Sequence, residues 1–175
     1  PSTSSAASDV YKRQVLLKLW AHNLSNTLKN EILLKREDLQ DVFSFKIRGA
    51  YNKMRQLTES QLAQGVITSS AGNHAQGVAL SALKLNCLAT ILMPITTPIV
   101  KVNAVKNLKA KVILFGDNYD ETYREAKRIS QERNLCFIHP FDDPDVIAGQ
   151  GTIAIEIENQ LKDKPYAIYI AVGGG

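Results

Sequence analysis

"VITSSAGNHAQGVALSALKLNCLATILM", residues 66–93, decides the fold class. "VITSS" is a short apolar run with β-branched residues, and it reads as a strand. From His74 to Leu85 the pattern changes period: Ala75, Val78, Ala79 and Ala82 fall on one helical face. "CLATILM" then reads as a second buried strand, closed by Pro94. The same alternation continues outward. A helix carrying Ile99, Val102, Val105 and Leu108 precedes the strand "KVILF". Tyr119, Tyr123, Ala126 and Ile129 mark a further helix that ends before the strand "LCFI". Strands alternating with helices require right-handed crossovers, hence a parallel sheet covered by helices on its faces. The fold class expected is an α/β, open parallel sheet.

Upstream, "EILLKRE" reads as a strand. From Ser44 a helix follows with Ile47, Ala50, Tyr51, Met54 and Leu57 inward and Ser44 placed to cap it. Thr58 and Gln61 form a capping-box pattern that opens a short helix ended by Gly65. Downstream of Pro144, "VIAGQGTIAIEIENQL" is mostly helical, and "YAIYIAV" reads as a buried strand leading into glycines.

The 175 residues are 45% hydrophobic and 22% charged, enough for an apolar interior. The formal net charge of +4 comes from basic residues scattered singly among acids, a weak basis for binding nucleic acid. No apolar run approaches the ~20 residues that cross a bilayer, and no secretory signal is recognisable. A cytoplasmic location is expected, with no membrane or nucleic-acid partner. Cys87 and Cys136 sit in apolar stretches and read as free, buried thiols. The three histidines show no metal-ligand spacing, so no metal is expected. Residues 1–20 read as a non-native or disordered tail, because "PSTSSAASDVYKRQ" has no apolar period and no initiating Met. The stop at "AVGGG", directly after a buried-strand pattern, suggests an N-terminal fragment.

Four stretches could carry chemistry. "SSAGNHAQG", Ser69–Gly77, joins a strand to a helix. There the first helical N–H groups and the positive end of the helix dipole attract a carboxylate or phosphate. Gly72 lets backbone approach such an anion, and Asn73 adds a side chain that donates or accepts. On its own the stretch is equally a simple helix cap by Ser69 or Asn73. "VGGG" after a strand can curl around a phosphate, or form a plain turn. "GQGTIA", Gly149–Ala154, matches a dinucleotide fingerprint, but it lacks a preceding strand and an acid about 20 residues on. Its glycines are expected instead to permit tight helix packing. Lys46, in "SFKIRGA", reads as a solvated helix lysine on position alone. A covalent role requires its pKa to fall through burial or a neighbouring cation, which Phe45 and Arg48 could supply.

Read together, "LLKREDLQ", "SFKIRGAYNKM", "SSAGNHAQG", "VIAGQGT" and "VGGG", in this order, resemble the threonine dehydratase (threonine ammonia-lyase) family, biosynthetic type. That family lies in the tryptophan synthase β-like, fold type II class of pyridoxal phosphate enzymes. The similarity runs from about Ala21 to Gly175. It implies a nearly complete small α/β domain over 53–148 and part of a large α/β domain over 21–52 and 149–175. It also implies that Lys46 is the catalytic residue and holds pyridoxal 5'-phosphate as a Schiff base, with Phe45 packed against the ring. By the same resemblance Asn73 bonds the ring hydroxyl, and Gly173, Gly174 and Gly175 begin the phosphate loop. Ser70, Gly72, Asn73 and His74 match the turn that receives the substrate carboxylate.

The activity implied is dehydration and deamination of L-threonine, with L-serine a further candidate, to 2-oxobutanoate and ammonia, the first step of isoleucine biosynthesis. The small-molecule partner is then an amino acid, and the intact protein a homo-oligomer. Three alternatives stay open: a catabolic-type dehydratase, a serine racemase-like enzyme, and a non-catalytic anion-binding module. Ala71 stands where serine racemases carry a second serine, which favours dehydration, and Asp41 stands where many family members have Pro. With nothing after Gly175, the chain alone is expected to bind cofactor weakly and to turn over little.

Overall fold

Strand β3 (Val66–Ser69) is buried along its whole length and lies at the centre of a four-stranded sheet. The structure is a computed structural model that describes residues 16–17, as backbone, and 21–173. Helix α4 (Asn73–Lys84) leads from β3 to β4 (Ala89–Met93), α5 (Ile99–Asn107) to β5 (Lys111–Leu114), and α6 (Tyr119–Glu132) to β6 (Cys136–Phe137). The strand order is β5-β4-β3-β6, all parallel, with Val66 opposite both Ala89 and Cys136. The expected α/β class is therefore what forms. The chain steps outward from β3 to β5 and then returns to β3's other side, leaving a switch in direction between β3 and β6. Ligands in open α/β sheets gather outside the strand ends at such a switch.

Alternation along the strands sorts the core into two layers. Val66, Ala89, Ile91 and Met93 face α4 and α5, where they meet Ala75, Val78, Ala79, Ala82, Val102 and Val105. Ile67 and Leu92 face α6 and meet Ala126 and Ile129. All four alanine and valine positions expected inward on α4 are buried. On α5 the stripe is narrower: Val102 and Val105 are buried, but Ile99 is exposed. On α6 Thr122, rather than Tyr119 or Tyr123, fills the buried position above Ala126 and Ile129. Its hydroxyl is satisfied by the Phe115 and Asn118 carbonyls.

Helix α2 (Lys46–Arg55) lies across this unit, between α4 and α7 (Pro144–Gln160). Its buried face is Ile47, Ala50, Tyr51 and Met54, as the spacing predicts. Ser44 does not cap it. The N-cap is Phe45, no side chain caps the helix, and the Ser44 hydroxyl is buried without a partner. The Thr58–Gln61 capping box does form, at the start of α3 (Glu59–Gln64), and Gly65 ends that helix at φ 104°.

Two contacts show why α2 sits so close to its neighbours. A Cβ on Gly149 would lie 2.6 Å from the Arg48 carbonyl oxygen and 2.6 Å from the Gly49 Cα. A Cβ on Gly77 would lie 3.0 Å from the Lys46 carbonyl carbon. "GQGTIA" is thus inside a helix, and Gly149 serves tight packing as expected. Gly151, by contrast, faces open space.

Several expectations are corrected. "EILLKRE" shrinks to β2 (Leu34–Lys35), paired antiparallel with β1 (Leu16–Leu17), so the expected tail of 1–20 contains two paired residues. A short helix, α1 (His22–Leu28), lies between them, and a 3-10 turn (Glu37–Leu39) follows β2. "YAIYIAV" is not a buried strand. Residues 166–172 form no ladder, and Tyr169 is 95% exposed. A strand of that composition needs a neighbour on its edge, and none of the described strands lies there. Cys87 and Cys136 are free, but half-buried rather than buried. No helix among the described residues is long and apolar enough to cross a membrane.

These contacts predict opposite effects from one substitution at two glycines of α7. Gly149→Ala should lose about 1–3 kcal/mol to overpacking against backbone. Gly151→Ala should gain up to about 1 kcal/mol from helix propensity. Urea denaturation of both variants checks the signs.

Candidate active site

Lys46 is the first residue of α2, and the Gly77 contact presses that end of the helix against α4. Asn73 lies four residues before Gly77, so it shares the α4 face that meets Lys46. The Lys46 side chain then reaches past α4 to the loop after β6, where Nζ donates to the Pro140 carbonyl at 2.7 Å. Its position is thereby fixed at the mouth of the β3–β6 switch. Burial, the one cause acting, lowers its pKa from the ordinary lysine value. The Phe45 ring centroid is 5.4 Å from Nζ.

Arg48 does not act on Lys46 as the sequence suggested. It is fully buried and turned the other way, with all five N–H donors used. Nε and Nη2 donate to Glu37 at 2.8 Å each. Nη1 and Nη2 reach Glu156 at 2.7 and 2.9 Å, and Nη1 also reaches Thr152 at 3.0 Å. Lys35 completes the set at 2.6 Å from Glu156, giving two cations and two carboxylates. This cluster ties the 3-10 turn and α7 to α2 two residues after Lys46.

At the C-terminal end of β3 the turn opens α4 with Gly72 as N-cap, and no side chain occupies the cap. Neither Ser69 nor Asn73 is therefore the simple cap that the sequence allowed. The Gly72 N–H turns back onto the Ser70 hydroxyl at 3.2 Å. Nothing lies within 4 Å of where a Gly72 Cβ would be, and Asn73 is exposed at the first helical position. The early N–H groups of this 12-residue helix therefore face accessible space, with the polarity that suits an anion. The Ser69 hydroxyl is fully buried without a partner.

His74 is buried and does not extend into that space. Its Nε2 lies 3.1 Å from the Ile138 carbonyl, so Nε2 carries the proton and donates. Burial, aided by the Lys46 charge, lowers its pKa to about 4. Its ring is thus neutral at pH 7, and any contact with a ligand at the turn falls to its backbone N–H. Gly173 is exposed, with nothing within 4 Å of a Cβ built there, and Gly174 and Gly175 lie outside the described residues. The structure thus brings Phe45, Lys46, Ser70, Gly72, Asn73 and His74 to one end of the sheet, and it adds Pro140 and His139. The sequence reading missed those two because the Lys46 contact is to a main-chain oxygen 94 residues away. Among the described residues no group of three or more His, Cys, Asp or Glu side chains is placed to hold a metal ion.

The residues fit a phosphorylated aldehyde as cofactor. An amine whose charged form is disfavoured by burial stands near an uncapped helix start with open backbone, and a fully buried orphan hydroxyl lies at the same strand end.

Comparison with known proteins gives the same direction. The family described as pyridoxal-phosphate dependent enzyme matches residues 15–175. The chain is 61% identical over 155 residues to the biosynthetic, chloroplastic threonine dehydratase of Arabidopsis thaliana, covering 89% of this chain and 26% of that protein. It is 54% identical over 158 residues to the biosynthetic L-threonine dehydratase of Burkholderia multivorans, covering 89% and 31%. Among solved structures, the processed form of threonine deaminase isoform 2 from Solanum lycopersicum superposes with a TM-score of 0.87 at 51% identity, covering 91% of this chain and 44% of that one. Maize serine racemase superposes at 0.83 with 29% identity, covering 91% and 49%. The chain thus spans about a quarter to a third of the length of these curated relatives.

The buried, neutral His74 has a consequence for stability. Between about pH 6.5, where an unfolded histidine titrates, and about pH 4, where His74 does, the unfolded chain holds a proton that the folded one lacks. Stability therefore falls as pH drops through that window, by up to about 3 kcal/mol from this group. His74→Gln keeps a donor for Ile138 and removes the titration. Its unfolding free energy, measured by urea at neutral and at mildly acid pH, should fall less than that of the wild type.

Proposed function

Because the chain belongs to the pyridoxal-phosphate dependent enzyme family, we propose that its site serves the dehydration and deamination of L-threonine to 2-oxobutanoate and ammonia, the first step of isoleucine biosynthesis. The observation that carries this reading is the half-buried Lys46 amine at the β3–β6 switch, beside the open turn Ser70–Asn73. In this reading Lys46 holds the cofactor through Nζ and Phe45 packs beside it. Asn73 meets the ring's polar edge, and Gly173, Gly174 and Gly175 take part in holding the phosphate. The N–H groups at the start of α4, with Ser70, receive the substrate carboxylate and orient its α-carbon.

When bound, pyridoxal phosphate supplies an electron sink for the substrate's α-carbon. The chain's own part is proton movement. With its pKa lowered by burial, Nζ is a competent base for the α-proton once it is released. The β-hydroxyl can then depart as water, with the proton that Nζ took from the α-carbon passed to the leaving oxygen. Ala71 offers no hydroxyl on the turn, which favours loss of the β-group over return of a proton from the opposite face, the racemase-like alternative. An anion-binding module without catalysis would use the same helix start but would be indifferent to Lys46.

We extend the reading to 53–148 as a small domain, to 21–52 and 149–175 as part of a larger one, and to a homo-oligomeric protein. The cytoplasm is kept as the proposed compartment, although relatives from plants and yeast carry chloroplastic and mitochondrial in their names. Titrating the chain with pyridoxal phosphate should produce a weakly saturating visible absorption band that is absent in Lys46→Ala. A band of equal strength in the alanine variant would overturn the assignment.

A further inference from the structure

The loop that receives Lys46 is held by its own histidine. His139 Nδ1 accepts the Asp142 backbone N–H at 2.7 Å and the Phe141 N–H at 3.3 Å, closing a tight turn over residues 139–142. An imidazole nitrogen that accepts two N–H bonds carries no proton. The start of the turn is anchored from the sheet and from α4, because Thr68 Oγ1 donates to the Ile138 carbonyl at 2.7 Å and His74 Nε2 to the same oxygen at 3.1 Å. The ring is set by edge contacts with Phe141, at 4.7 Å between centroids, and Tyr123, at 6.0 Å. The outward result of this turn is the direction of one carbonyl, that of Pro140, and Lys46 Nζ is bonded to it.

We propose that His139 is a positioning residue for Lys46: its unprotonated Nδ1 shapes the 139–142 turn so that the Pro140 carbonyl holds the Lys46 amine in place. The inference rests on the reading of Lys46 as the reactive amine, but its geometry is independent of any cofactor. When His139 gains a proton, Nδ1 becomes a donor facing two donors, the turn opens, and the amine is released. The charged and titratable groups around the ring are Lys127 and Tyr123 on α6, Lys46 on α2, His74 on α4, and Asp142 and Asp143 on its own loop. Burial first, with Lys127 and Lys46, keeps His139 below the ordinary histidine value, against the two aspartates.

Competitive acetylation of the full chain, prepared without pyridoxal phosphate and read residue by residue by mass spectrometry, tests this. In the wild type, the logarithm of the Lys46 rate should depart from a simple one-proton slope in the acid range where His139 titrates. His139→Asn places an amide oxygen near the Nδ1 position, so it should keep the neutral-pH rate within about twofold and abolish the departure. His139→Phe keeps the ring packing without the acceptor and should raise the Lys46 rate about two- to tenfold, the size of one lost hydrogen bond. Labelling of exposed Lys101 should not change in either variant. A departure that persists in His139→Asn, or a wild-type Lys46 rate in a folded His139→Phe variant, would overturn the proposal. Loss of folding in the phenylalanine variant leaves the asparagine profile as the deciding result. Failure of the enzymatic reading would appear elsewhere, as a cofactor band indifferent to Lys46→Ala.

Discussion

Helix α2 meets each of its two neighbours at a point of direct backbone contact. On one side the Gly149 Cα sits against the Arg48 carbonyl and Gly49, and on the other Gly77 sits against the carbonyl of Lys46. Backbone contact of this kind leaves no room to slide or roll, since packed interiors do not deform continuously. The consequence is geometric. Lys46, at the helix start, points toward the strand ends, while Arg48, two residues on, points to the opposite side. The Arg48–Glu37–Glu156–Lys35 cluster then has a specific role. The buried Arg48 and its carboxylates, with half-buried Lys35 beside them, gain little net stability from their contact, but removing a partner of Arg48 leaves an uncompensated charge and costs about 3–5 kcal/mol. The cluster therefore selects one register of α2 against α7.

The sheet supplies the other half of the site. Because β6 returns to β3's free side, the C-terminal ends of these two strands lie next to each other and their loops diverge. Ser70–Asn73 leaves from β3 and His139–Asp142 from β6, so the start of α4 stands on one loop and the Pro140 carbonyl that holds the Lys46 amine on the other. Two residues of pairing in β6 suffice, since Ile138 continues the alignment by donating its N–H to the Ile67 carbonyl at 2.9 Å. The polar groups along this floor are divided by burial. Thr68 and His74 are spent on Ile138, whereas Ser70 and Asn73 stay accessible.

What the sequence revealed was local or periodic. The β3–α4–β4 alternation, the inward alanines of α4 and the Thr58–Gln61 box depend on neighbours within a turn or a strand pair, and they form as the pattern says. The packing role of Gly149 was legible by exclusion, because its motif lacked a strand. Ser44 as cap was not, since a serine before a helix says nothing about whether its hydroxyl turns inward. Arg48 was misread for a similar reason: its partner Glu156 lies 108 residues away, and no spacing announces it. The apolar run 166–172 shows the limit most plainly, because composition states that a strand could be buried without stating what would cover it.

The most direct measurement is to load the chain with pyridoxal phosphate, reduce it with borohydride, and map the modified peptide. The account predicts one pyridoxyl mass, on Lys46, because among the described residues only that amine is held at the strand ends with its charged form disfavoured. A label carried mainly by another lysine, or spread over the exposed ones with Lys46 unmodified, would contradict it.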